Sequence, residues 1–165
     1  MKRNEMLIRH QFVEELWNNR NFEVADAIFD ANCHSYQIRS GSLSDPITRG
    51  PDDIKEHITQ WLIGFPDITF KAEQIVAQYD KVFSYITVNG THNGKWMGIS
   101  PTGKNINIQM MTIHQIKNKK IISDWVIVES FGIFEQLGIL PSIQTIISRE
   151  LNNEIIHINS CDRTA

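Results

Sequence analysis

The hydrophobic period of this chain changes at residue 67, from a helical repeat to a strand repeat. That switch limits the fold more than any other feature. Upstream, residues 4–18 carry Ile8, Phe12, Val13, Leu16 and Trp17, an apolar stripe along one helical face. Asn18-Asn19-Arg20-Asn21 breaks the stripe, and Phe22 to Phe29 reads as a short second helix. Asn32 to Tyr36 is a mixed segment, and Ser40 to Gly50, rich in Ser and Gly with Pro46, reads as a loop. Gly50-Pro51-Asp52-Asp53 starts a third helix, because proline suits the first helical position and the acids complement the positive helix end. Pro66 stops it. Downstream, Ile68–Ala77, Val82–Thr91, Asn105–Ile116 and Ile121–Glu129 alternate as strands joined in sequence. A short helix, Phe131–Leu137, ends at Gly138, and residues 139–151 suit one more.

Helices followed by a run of hairpin-linked strands define an α+β fold. We expect three N-terminal helices packed on the concave face of a strongly curved, mostly antiparallel sheet, forming a cone-shaped barrel. Such a cone closes over an apolar cavity suited to a ligand. Trp125 and Ile127 on one face of the fourth strand, and Val126 and Val128 on the other, make both faces apolar. A strand of that kind is covered on both sides, so a homodimer or larger homo-oligomer through the outer sheet face is expected. Residues 1–140 are read as the domain and 141–165 as a helical extension with a loose tail.

Composition narrows the function classes. The chain of 165 residues has 41% hydrophobic and 21% charged residues, which fits one soluble domain with a real core. A formal charge of −3 provides no basic field for nucleic acid. No apolar run is long enough for a membrane span, and the N-terminus lacks a signal-peptide pattern. Cys33 and Cys161 are the only cysteines and have no metal-type spacing. A cytoplasmic protein without a metal site is the expectation.

The stretch G-T-H-N-G-K-W-M-G-I-S-P-T-G, Gly90 to Gly103, holds four of the nine glycines. Trp96 and Met97 interrupt them, so the segment reads as an ordered loop folded over something apolar. Together with I-x-x-x-W at Ile121 to Trp125 and F-G-I-F-E-Q-L-G at Phe131 to Gly138, it resembles the SnoaL-like polyketide cyclase family of the nuclear transport factor 2-like superfamily. The segments F-V-E-E-L-W-N and G-P-D-D-I-K-E are similar to it too, and the likeness runs from about residue 5 to residue 140. The resemblance implies a cone-shaped α+β barrel, a dimer or larger assembly, a hydrophobic pocket, and neither metal nor organic cofactor. It also implies that the acidic residue of the family's aldol cyclases is replaced here by Val126, their assisting histidine by Thr112, and a pocket amide by Met110.

Other residues must therefore carry any proton chemistry. Asp124 shares a strand face with Val126, and desolvation raises the pKa of a carboxyl group in an apolar pocket. Tyr36 suits donation to a carbonyl oxygen and His34 suits a proton shuttle, both at the pocket mouth. Catalytic candidates are thus Asp124, Tyr36 and His34. Candidates for the lining are Trp17, Trp61, Trp96, Met97, Met110, Thr112, His114, Val126 and Phe131. His92 is read as bonded to its own loop, and His57 as facing solvent. The expected activity is a cofactor-independent cyclisation or isomerisation of a hydrophobic carbonyl- or epoxide-bearing molecule, polyketide- or terpenoid-like. The alternative is a non-catalytic binding or accessory protein of the same fold.

Overall fold

The computed structural model describes residues 2–39, 42–43 and 46–150. Expectations for the tail beyond residue 150, including Cys161, lie outside the described residues. Helix α1 (Lys2–Met6) continues as π-helical turns over Leu7–Asn18. The buried residues of that segment fall in pairs, Leu7-Ile8, Phe12-Val13 and Leu16-Trp17, repeating every four to five residues. That spacing exceeds the 3.6 of an α-helix and favours the wider i→i+5 turn. Helix α2 (Glu23–Ile28) leads into strand β1 (Phe29–Arg39), followed by the short β2 (Ser42–Leu43) and β3 (Ile47–Thr48). Helix α3 spans Pro51–Gly64, and Gly50 N–H donates to Asp53 Oδ2 at 2.8 Å, satisfying its start. Strands β4 (Thr69–Gln78), β5 (Lys81–Thr91), β6 (Asn105–Lys117) and β7 (Lys120–Val128) follow, then α4 (Ser130–Gln136) and a helix at 143–150, α5.

The sheet order is β2-β1-β7-β6-β5-β4, with β3 paired to β1. All pairs are antiparallel except β1 with β7, which run parallel. The fold is therefore α+β with a mixed sheet, and the expected barrel is corrected. Strands β2 and β4 lie at opposite ends of the order without pairing, so the sheet stays open. Asn32–Tyr36, mixed in sequence, belongs to strand β1. The loop predicted for Ser40–Gly50 contains β2 and β3.

The N-terminal helical segment protects the edge strand β4. Asn18 Nδ2 donates to Phe70 O and Phe70 N–H donates to Asn18 Oδ1, each at 2.8 Å, so the side-chain amide pairs as another strand would. Arg9 Nη1 donates to Ala72 O at 3.1 Å, and Arg20 Nη2 to Ile68 O at 2.8 Å. Unpaired edge groups invite association with other chains, and here polar side chains of the same chain occupy them. One apolar core joins the helices to the sheet through Ile8, Leu16, Ile28, Ile58, Ile86 and Ile108. Among the described residues no helix is long and apolar enough to cross a membrane.

The glycine-rich stretch closes on the end of α3. Gly94 N–H donates to Gly64 O at 3.0 Å, and a Cβ on Gly94 would sit 1.7 Å from Ile63 O. Beyond it, Trp96 and Ile99 exchange backbone hydrogen bonds of 3.0 and 2.8 Å around Met97 and Gly98. Both central residues have positive φ, 48° and 84°, as the twist of a two-residue hairpin demands. His92 fastens the far side: Thr102 N–H donates to His92 Nδ1 at 3.3 Å. Gly94→Ala therefore pushes this loop off α3. We expect a loss of about 1–3 kcal/mol, typical of overpacking, read as a lower thermal midpoint with quenched ordering of Trp96 fluorescence. An unchanged midpoint would contradict the close approach.

Candidate functional site

A cavity of about 410 Å³ lies between the helices and one face of the sheet. That volume suits a small organic ligand. Strand alternation builds its floor: Ile108, Met110 and Thr112 come from β6, and Asp124, Val126 and Val128 from β7. Phe12, Trp17 and Trp61 from the helices form the opposite wall. The hairpin carries Trp96 over the top, where its ring stands 4.9 Å from Trp61, 5.4 Å from Phe65 and 6.2 Å from Phe134. Trp96 is buried, whereas Met97, 68% exposed, stands at the rim.

Of the predicted lining, Trp17, Trp61, Trp96, Met97, Met110, Thr112 and Val126 all border the cavity. Phe131 does not: it is 39% exposed, while Ser130, Ile133 and Phe134 form the inward side of α4. The expectation for His114 is corrected as well. It is fully buried on the same strand face as Thr112 but beyond the cavity, packed at 4.7 Å against Phe12, with Nδ1 3.3 Å from Thr112 Oγ1. Burial pushes its pKa down to about 3, so the ring is neutral at working pH.

The placement expected for Tyr36 and His34 is also corrected. In β1 it is Cys33 and Ser35 that turn inward, and His34 and Tyr36 turn outward. The cause is the parallel register with β7, which sets Ser35 beside Asp124 and Tyr36 beside Trp125. Tyr36 stacks flat on Trp125 on the outer face, centroids 4.8 Å apart and planes 7° apart. Neither residue reaches the cavity.

Asp124 does. It is 7% exposed, and its Oδ1 is buried without a hydrogen-bond partner. Burial raises its pKa above the ordinary carboxylate range, and the neighbouring Ser35 hydroxyl and Arg49 guanidinium pull it down. Ser35 Oγ forms no well-shaped hydrogen bond, so its pull is weak and desolvation wins. Cys33, beside the carboxyl, is pushed up to about 12 by burial and by Asp124, so the thiol is the favoured form there. Arg49, His57 and Gln60 also border the cavity. His57, expected to face solvent, stands half-buried, edge-on to Trp17 at 6.2 Å. Arg49 lay in a segment read as loop, with no periodicity to aim it. Among the described residues no group of three or more His, Cys, Asp or Glu is placed to hold a metal ion.

The pattern of the SnoaL-like polyketide cyclases matches residues 8–137, most of the chain. The chain belongs to the SnoaL-like polyketide cyclase family. Solved structures share the fold at low identity. AclR from Streptomyces galilaeus superposes with a TM-score of 0.74 at 19% identity, covering 100% of this chain and 99% of its own. TsrD from Streptomyces laurentii gives 0.71 at 18% identity, covering 85% and 98%. A SnoaL-like polyketide cyclase from Agrobacterium tumefaciens gives 0.61 at 18%, covering 74% and 90%. No curated protein sequence matches the chain. These likenesses place the SnoaL-like fold on the chain, and the cavity must argue the chemistry.

A raised carboxyl pKa has a defined effect on stability. The folded protein holds the Asp124 proton more tightly than the unfolded chain, so stability is full below about pH 4. It is lost as pH rises through the folded pKa. Asp124→Asn removes this loss. Denaturant midpoints from pH 4 to pH 8 should show the variant gaining on the parent as pH rises. A constant difference would contradict the shift.

Proposed function

We propose that this SnoaL-like protein is a cyclase or isomerase that moves a proton on a hydrophobic, carbonyl-bearing small molecule, polyketide- or terpenoid-like, without a cofactor. The observation that carries this reading is the buried Asp124 carboxyl, whose Oδ1 has no hydrogen-bond partner, in a largely apolar cavity. Burial brings such a group towards neutrality, where a carboxyl can both take and return a proton. Family membership and fold support a cyclase or isomerase kind of function.

In this reading Asp124 is the acid/base. The aromatic wall of Trp17, Trp61 and Trp96 holds a flexible chain in a reactive shape, converting an encounter into an intramolecular step. The outward placement of Tyr36 and His34 favours the rival reading, a binding protein without turnover, because it leaves fewer proton-transfer groups at the cavity. Deuterium exchange separates the two. Aromatic ketones such as 2-acetylnaphthalene and 1-tetralone, incubated with protein in D₂O, should exchange their α-protons faster than in buffer. Asp124→Asn should slow that exchange by about 10²–10⁴-fold, the usual worth of a positioned acid/base. Binding with exchange no faster than buffer would favour the binder.

The outer sheet face carries Met111, Ile113 and Ile127, all exposed, beside the Tyr36–Trp125 stack. Met111 pairs with Ile127 and Ile113 with Trp125 in register, so the apolar surface is continuous. A second copy of the chain is the occupant we propose, since the formal charge of −3 is low enough for like copies to meet. Sedimentation equilibrium at micromolar concentration should return twice the chain mass, and Ile113→Lys should return one chain mass. A monomeric parent would refute this.

A further inference from the structure

We propose that Thr112 is the donor that holds the substrate's carbonyl oxygen, and that His114 beside it turns the hydroxyl proton into the cavity. The inference rests on the proton-transfer reading of the same site and adds the group that completes it. Its basis is an accounting of hydrogen bonds in one buried pair. Thr112 Oγ1 stands 3.3 Å from His114 Nδ1, and His114 Nε2 is buried without a partner.

A neutral imidazole carries one proton, on one nitrogen or the other. With the proton on Nε2, the molecule buries an N–H with no acceptor. That N–H could at best meet the Phe12 ring, 4.7 Å away between centroids, a contact of second order. With the proton on Nδ1, the N–H donates to Thr112 Oγ1 and only a lone pair is left unpaired at Nε2. An orphaned buried N–H is the rarer and costlier of the two. The Nδ1–H form therefore wins. Thr112 Oγ1 then accepts from His114, and its own O–H is released to donate elsewhere. Thr112 borders the cavity, so the cavity is where that proton is offered.

The register completes the geometry. Thr112 pairs with Val126 and His114 with Asp124, so Thr112 and Asp124 are diagonal neighbours on one face. Such positions lie about 7–8 Å apart, which leaves room for a carbonyl oxygen at Thr112 and its α-carbon at Asp124. The Asp124 carboxylate takes the α-proton. The C–H electron pair becomes the C=C bond, and the C=O π pair moves to oxygen, where Thr112 O–H stabilises the developing charge. The carboxylic acid then returns the proton to a carbon of the enolate, so atoms and electrons balance. The substrate class is an enolisable ketone.

Two readouts test this. In ¹⁵N-histidine-labelled protein, the His114 ring should be protonated at Nδ1 alone from pH 5 to pH 8. A proton on Nε2 would overturn the inference, because Thr112 would then spend its own proton on the ring. In parallel, the infrared carbonyl stretch of bound ¹³C=O 2-acetylnaphthalene should lie lower in the parent than in Thr112→Val, with Thr112→Ser restoring it. An equal stretch in parent and Thr112→Val would overturn the donor role. Thr112→Val should also slow α-proton exchange about a hundredfold, the cost of losing one such donor. Asp124→Asn slows exchange by the same factor of about 10²–10⁴ while leaving the tautomer and the carbonyl shift in place, so failure of the acid/base reading and failure of this one are told apart.

Discussion

The structure turns on one desolvated group, the Asp124 carboxyl, held in a cavity whose other walls are mostly apolar. A charge in that position is costly unless it is paired. Yet Oδ1 has no hydrogen-bond partner, and the groups beside it compensate only in part. A purely structural carboxyl group would be expected to be satisfied by its surroundings. The apolar walls exclude water from it. The helices supply Phe12 and Trp17, the hairpin supplies Trp96, and β6 and β7 bring the floor to the right register.

That enclosure is assembled from separate devices. Asn18 and Arg9 tie the first helical segment to the edge strand β4, and Arg20, just past the segment, bonds Ile68 O just before the strand, fixing the wall that carries Phe12 and Trp17. Gly94 lets the glycine-rich loop meet the end of α3 at a distance no side chain allows. The positive φ values of Met97 and Gly98 then fold the hairpin so that Trp96 points down between Trp61 and Phe65. Local backbone chemistry, not apolar contact alone, sets the roof.

Much of this was legible in the sequence where one physical signal dominates. Strands β4 to β7 follow from period-two runs, and α3 from Gly50-Pro51-Asp52-Asp53. Asp124 and Val126 on one face follow from alternation, as does Thr112 on the face of Met110. Trp96 over an apolar space follows from an aromatic set among glycines. Strand β1 was not legible, because its Cys33-His34-Ser35-Tyr36 run has apolar and polar groups on both faces. Which face turns inward is decided by the parallel pairing with β7, a contact across nearly ninety positions that no local pattern encodes. For the same reason Tyr36, expected at the pocket mouth, stands on the outer face against Trp125. The barrel closure also failed, since closure depends on whether the two outermost strands meet.

The most direct measurement is a pH titration of the Asp124 side-chain carboxyl followed by its ¹³C shift in aspartate-labelled protein, assigned by comparison with Asp124→Asn. The account predicts a midpoint clearly above the ordinary carboxylate range, raised by burial. A midpoint at or below that range would mean the carboxylate is satisfied in the fold, and the acid/base role would fall with it.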